Sequence, residues 1–229
     1  MRARIAVILI LGALLYVFWH LAVRSAGFRE LLARALARRI GASVAMERCY
    51  AAVDLHIEAE GVRIASDDQM SSVGVARMAL YWRSARKLRK LPGPHWRLLL
   101  DGVRFRTGGA APPAALAFVP VALAILFEGF DASRREAGRE LMRGPDMLIE
   151  IRRGVVRTEG TGGSRLYRNV HILYCPFELA GRRMVYIAAA AEAGGTERSA
   201  DLLACGGHVC FLPRTGAASR RDGLSPGNA

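Results

Sequence analysis

Val53, Leu55, Ile57 and Ala59 alternate with Asp54, His56, Glu58 and Glu60. A period of two is the mark of a β-strand with one dry and one wet face. Gly61 interrupts the alternation, and Val62 and Ile64 resume it. A glycine inside a strand pattern marks a bulge or a bend. Gly61-Val62-Arg63-Ile64 then recurs as Gly102-Val103-Arg104-Phe105, after the alternation of Trp96, Leu98 and Leu100. A looser copy, Gly154-Val155-Val156-Arg157, follows the apolar alternation of 148–151. Strand, glycine bend, strand, repeated, predicts a curved sheet that grows by adding units.

The chain before this sheet is of another kind. Residues 5–23 carry no charge, and His20 is their only strongly polar member. That length spans a bilayer core. A cleaved signal peptide is the competing reading, but the apolar stretch is long for one and no clean small-x-small site follows it. The expectation is an uncleaved transmembrane anchor over 1–25, with Tyr16 and Trp19 towards an interface. Phe28, Leu31, Leu32, Ala35, Leu36 and Ile40 then fall at helical spacing, and Gly41 is placed to end the helix. Its other face carries Arg29, Arg34, Arg38 and Arg39; with Arg24 these are candidates for contact with a membrane surface. The same helix can instead cap the sheet. A count of basic residues on the two sides of the anchor puts the C-terminal side in the cytoplasm.

The division expected further on is 26–109 for the helix and first β-segment, 110–145 for an apolar segment and a short helix, and 146–213 for a second β-segment. A disordered tail is expected over 214–229, where Gly, Ser, Arg and Pro dominate. Strands are predicted over 72–82, 148–151, 155–158, 167–174, 184–190 and 202–212. Residues 111–127 are apolar but contain Pro112, Pro113 and Pro120. They are marginal in length for a second span, and the reading adopted is a segment folded along the sheet or lying in the interface. A charged helix is predicted over 131–143.

Charge and cysteine content exclude little. The formal charge is +13, from 33 basic and 20 acidic residues, with most arginines scattered. Such a charge permits contact with nucleic acid or anionic membrane without specifying either. Arg83, Arg86, Lys87, Arg89, Lys90 and Arg97 form the densest basic cluster, read as a solvated connection ahead of a phosphate-binding patch. It has few aromatics to stack bases, and no nucleic acid partner is expected. The four cysteines, Cys49, Cys175, Cys205 and Cys210, are too few for a disulfide scaffold. Cys205 and Cys210 with His208 between them lack a fourth ligand at a known spacing, so no metal and no cofactor is expected.

No Gly-x-Ser-x-Gly elbow, His-Glu-x-x-His motif or P-loop is present. The histidines are dispersed, and Asp54, Glu58 and Glu60 read as the solvated face of one strand. The chain is read as a non-enzyme.

The order of parts from Arg2 to Phe105 resembles the start of the AsmA-like envelope proteins of Gram-negative bacteria, which include YhdP-like and TamB-like branches: anchor, short helix ending at Ile40-Gly41, then the strands quoted above. Residues 148–156 and Asn169-Val170-His171-Ile172 are similar to the central repeats of the YhdP-like branch. The resemblance covers roughly residues 1–212, and family members are usually several times longer. It implies a β-rich α+β fold: a transmembrane helix and an amphipathic helix, then a curved, twisted, mostly antiparallel sheet forming an apolar groove. It implies a single-pass protein of the bacterial inner membrane with its bulk in the periplasm. Such grooves carry phospholipid acyl chains between membranes, so the resemblance implies phospholipid transport or outer-membrane homeostasis. The groove residues it would assign are Val53, Leu55, Ile57, Val62, Ile64, Trp96, Leu98, Leu100, Val103 and Phe105. The rival expectation is a non-catalytic scaffold for envelope assembly, with an envelope protein as partner.

Overall fold

Ten strands form one sheet in the computed structural model, which describes residues 2–51, 56–65, 71–82, 96–107, 113, 116–128, 134–160 and 163–212. Helices α1 (Arg2–Arg24) and α2 (Ala26–Ile40) come first. They are followed by β1 (Ser43–Ala45), β2 (Arg48–Ala51), β3 (Ile57–Ala65), β4 (Ser71–Trp82) and β5 (Trp96–Thr107). Helices α3 (Phe118–Glu128) and α4 (Arg134–Met142) separate these from β6 (Leu148–Gly160), β7 (Gly163–Leu179), β8 (Arg182–Ala193), β9 (Thr196–Cys205) and β10 (His208–Leu212). Strands β3 to β10 lie side by side in chain order, with β1 and β2 both on the outer edge of β3. Every pairing is antiparallel except β5 with β6. That pair is parallel because α3 and α4 lie between its strands, and a parallel pair needs such a crossover.

The turns follow from glycine. Ala180-Gly181, Gly194-Gly195 and Gly206-Gly207 all have positive φ and close the hairpins β7–β8, β8–β9 and β9–β10. Two left-handed residues in a two-residue turn match the twist of the flanking strands. The single strand predicted over 202–212 is corrected here: Gly206-Gly207 divides it into the end of β9 and all of β10.

The Gly-Val motif is where the inward–outward alternation slips. On β3 the inward residues are Ile57 and Ala59 before Gly61, then Val62 and Ile64 after it, so Glu60 and Gly61 are consecutive non-core positions. The neighbouring strands slip at the same level. Ala76-Arg77 lies between Val75 and Met78, Asp101-Gly102 between Leu100 and Val103, and Arg152-Arg153 between Ile151 and Gly154. Glu47-Arg48, between Met46 and Cys49, and Arg168-Asn169, between Tyr167 and Val170, repeat the pattern. The register Arg48↔Glu60↔Arg77↔Asp101↔Arg152 makes this a straight line across the sheet. Its charges alternate in sign, the favourable arrangement for cross-strand neighbours.

Left-handed backbone marks the line at Gly61 (φ 60), Gly102 (φ 65), Arg153 (φ 50) and Asn169 (φ 50). The third motif copy is therefore corrected: the left-handed residue is Arg153, not Gly154. Gly154 serves packing instead, since an added Cβ would lie 3.1 Å from the Cβ of Val170. Strand β8 keeps strict alternation, and the irregularity between Arg168 and His171 in the β7–β8 register absorbs the slip.

The inward face is covered by helices. Ser25 caps α2 by accepting from the Phe28 N–H at 3.2 Å, and Gly41 ends it in the left-handed conformation. Leu32, Leu36 and Ile40 are the buried stripe of α2. Helix α3 packs on β8, β9 and α4, and α4 on β8 to β10. Phe118 stacks on Tyr174 with ring centroids 4.4 Å apart, and the Tyr174 hydroxyl donates to the Leu141 carbonyl at 3.2 Å. The helix expected over 131–143 is α4. The apolar segment expected over 111–127 contains α3, eleven residues long and folded onto the sheet.

Among the described residues no single helix is long and apolar enough to cross a membrane. Ile8–Arg24 and Ala26–Ile40 meet that test together, as a pair bent by 71°. The densest basic cluster apart from Arg97, the connection before β5 and the tail over 214–229 lie outside the described residues, as do Val53 and Leu55.

Candidate functional site

The apolar candidates that are described share one face of the sheet. Val62, Ile64, Leu98, Leu100, Val103 and Phe105 are 0–3% exposed, and Ile57 and Trp96 are half-buried at its margin. Across the strands this face continues through Ile149 and Ile151, Val170 and Ile172, Val185 and Ile187, to Leu202 and Ala204. It is an unbroken apolar strip from the α1 end of the sheet to β9. The strip is closed and not an open groove: these side chains form one core with Leu32, Leu36 and Ile40 of α2 and with Phe118, Leu123 and Leu126 of α3. A 100 Å³ void remains where α2 meets the sheet, lined by Leu32, Ala35, Leu36, Arg39, Leu80, Trp96 and Met147.

Helix α1 presents the opposite case. Ile8, Leu9, Ile10, Leu11, Leu14, Leu15, Val17, Phe18 and Leu21 are 53–69% exposed. Partial burial begins at Trp19 and His20 and is complete at Val23, where the helix reaches the sheet beside β2. Ser25 makes the junction: its hydroxyl donates to the Ala22 carbonyl at 2.7 Å and accepts from Phe28. Trp19 packs edge-on against Phe28 inside the bend, 5.8 Å between centroids.

The five arginines proposed for a membrane surface divide. Arg29 donates to the Glu47 carbonyl at 2.7 Å, and Arg39 lies over the Trp96 ring at 5.9 Å, so both serve the sheet. Arg34 pairs with Glu30 at 3.3 Å on the exposed side. Arg24 and Arg38 are exposed. The apolar stripe of α2 faces the sheet, which leaves Leu31, 65% exposed, as its outward apolar residue.

The outward face of the sheet is polar, and one expectation fails there. Glu58 was expected on a solvated face, yet it is 5% exposed. Arg77 grips its carboxylate at 2.6 Å and 3.1 Å, and His56 Nε2 stands 2.8 Å away. Burial pushes this carboxyl up, but the hydrogen bonds from Arg77, His56 and Tyr50 outweigh it and hold the pKa at about 2. Burial and the neighbouring Glu58 carboxylate push the Tyr50 phenol up to about 12. His56 stacks on Tyr81 at 4.4 Å. Strand alternation alone could not reveal this burial, because it results from side chains of β2, β3 and β4 closing over one another. Further along, Arg97 and Arg152 both bind Glu150, and Arg153 binds Asp101 with two nitrogens.

None of the four cysteines forms a disulfide, and burial raises Cys49 to about 11. Among the described residues no group of three or more His, Cys, Asp or Glu could hold a metal ion.

No protein-family model, no curated protein and no solved structure matches this chain.

Proposed function

We propose that this chain is a short AsmA-like module, anchored in the bacterial inner membrane by α1 with its sheet in the periplasm, that assists phospholipid transport or outer-membrane homeostasis. The observation that carries the reading is the uncovered apolar surface of α1 running, through the Ser25 junction, into one continuous apolar sheet face. Water is a poor solvent for such a helix, since each large apolar side chain left exposed forgoes roughly 1.5–3 kcal/mol. Lipid supplies the missing cover. The strip runs across the strands, so a lipid leaving the anchor end would travel along the sheet towards β9. Acyl chains would reach it by displacing α2, where the 100 Å³ void already lies.

A photo-crosslinking residue at Leu36 or Leu80, in chain purified from membranes, tests this. Phospholipid adducts are expected at both positions and at none on the outward face. Adduct-free protein whose α1 still partitions into membranes would sink the transport reading.

The closed state of the strip favours a second reading, a scaffold for envelope complexes. In that case Ile57→Glu abolishes partner capture while lipid crosslinking at Leu36 stays absent in wild-type protein. Topology reporters after Gly109 and Arg214 test the location: both are expected in the periplasm.

A further inference from the structure

The outward face carries a pit that the reading above leaves unused. It lies just past the line where the alternation slips, holds 540 Å³, and has Gly61, Gly74, Ala76 and Gly102 along its floor. A Cβ added to Gly74 would meet nothing within 4 Å, so the space above it is open. Arg63 and Arg104 flank this glycine in strict register, Arg63↔Gly74 on one side and Gly74↔Arg104 on the other. Two strand spacings separate their Cα atoms by roughly 10 Å. That distance lets two long guanidinium side chains converge on one tetrahedral oxyanion.

Both arginines are exposed and have no hydrogen-bond or ion-pair partner among the described residues. By contrast, Arg77 and Arg152 on the line and Arg97 on its far side are all committed to carboxylates. Arg153 also lines the pit, but Asp101 occupies it. Arg106, two residues beyond Arg104, is exposed and likewise unpartnered, and adds to the positive field. Against these stands the one acid of the lining, Glu47, whose side chain lies over Gly61 at the rim.

We propose that Arg63 and Arg104 bind a phosphate group over Gly74. The group is either the headgroup phosphate of an anionic phospholipid or a free phosphate. The site is on the opposite face from the apolar strip and does not depend on acyl chains entering the core.

The test uses the full chain in a neutral detergent, titrated with inorganic phosphate, with soluble short-chain phosphatidylglycerol and with a single-stranded oligonucleotide. Saturable binding of phosphatidylglycerol alone assigns the headgroup, and binding of both small probes assigns phosphate itself. Arg63→Gln and Arg104→Gln should each weaken binding roughly tenfold, the loss of one charge-assisted interaction. Gly74→Glu should abolish it by seating a carboxylate between the arginines, with the thermal midpoint unchanged because the added side chain meets open space. Glu47→Gln should tighten it. Binding of neither small probe, binding confined to the oligonucleotide, or binding that survives all three weakening variants overturns the proposal. Vesicle partitioning by α1, measured on the same variants, should stay constant and separates failure here from failure of the anchor.

Discussion

Helices α1 and α3 are both built from apolar residues and have opposite fates. In α3, Phe118, Val119, Ala122, Leu123, Ile125 and Leu126 are all buried, none more than 7% exposed. In α1, the Ile, Leu, Val and Phe residues between Ile8 and Leu21 are more than half exposed. The difference lies in what each helix can reach. Eleven residues starting after a proline-containing segment place α3 against β8 and β9 on one side and α4 on another. Arg198 fastens its end, donating to the Phe127 carbonyl at 3.2 Å. Among the described residues, helix α1 meets the rest of the fold at its C-terminal end, from Trp19 onward, and is exposed before it. A helix that is apolar all round needs cover on every side. The fold provides it for α3 and withholds it from α1, and this asymmetry is what the proposed anchor role of α1 rests on.

The largest test is a charge placed in each helix. Leu123→Asp buries an unpaired carboxylate and should cost roughly 4 kcal/mol or more, read as loss of the cooperative thermal transition in detergent. Leu14→Asp should leave that transition in place and fail in membrane partitioning, by roughly 3 kcal/mol at the centre of a span. Vesicle flotation measures the second effect. Equal destabilisation of the fold by both variants would break the comparison.

The sheet itself supplies the next test. Glu58→Gln should cost about 2 kcal/mol, discounted for the half-exposed Arg77, as seen in urea unfolding at neutral pH. Because the folded-state pKa of Glu58 is lowered from 4.5 to about 2, its contribution is complete above pH 4.5 and is lost as pH falls towards 2. The gap in denaturation midpoint between wild type and Glu58→Gln should close over that window. A gap of constant size down to pH 2 would show that the carboxylate is not stabilised by its partners.

Gly102→Ala tests the line of slipped alternation. It forces a Cβ into left-handed backbone and to 2.9 Å from the Cβ of Ala76. A loss of about 1–2 kcal/mol is expected from the backbone alone. Adding Ala76→Gly should recover the contact part and not the backbone part.

The smallest effect belongs to the α1–α2 junction. Ser25→Ala removes the cap of α2 and should cost ~1 kcal/mol of thermal stability. Because the sheet holds Leu32, Leu36 and Ile40, the bend itself should persist, which a distance measurement between spin labels on Leu9 and Leu31 can check.

Local pattern was enough for much of this. The period of two at Ile57 to Ile64 and at Trp96 to Phe105 identified strands and their apolar faces, since side-chain direction in a strand is fixed by parity. Helical spacing with Gly41 behind it located the end of α2, because a left-handed cap is chemically specific. The repeat of Gly-Val-Arg was visible, but its meaning was not. Only the register shows that Gly61, Ala76, Gly102 and Arg153 stand on one line, and that at the third copy an arginine takes the left-handed position. Glu58 was misread for a related reason: beside its near neighbour His56, its burial and its depressed pKa come from Tyr50 and Arg77, which strand pairing brings to it.

Local sequence determined a β-rich chain behind an apolar stretch uncharged over 5–23, with glycine at most of the positions where the backbone turns left-handed. These properties follow from parity, spacing and the missing Cβ, which act over a few residues. Tertiary structure alone decided that the apolar face is closed, that α3 lies inside and α1 outside, and that Arg63 and Arg104 face each other across Gly74 without a carboxylate between them. Those outcomes depend on which distant segments meet, and the free energy that selects among such meetings is a property of the whole sheet.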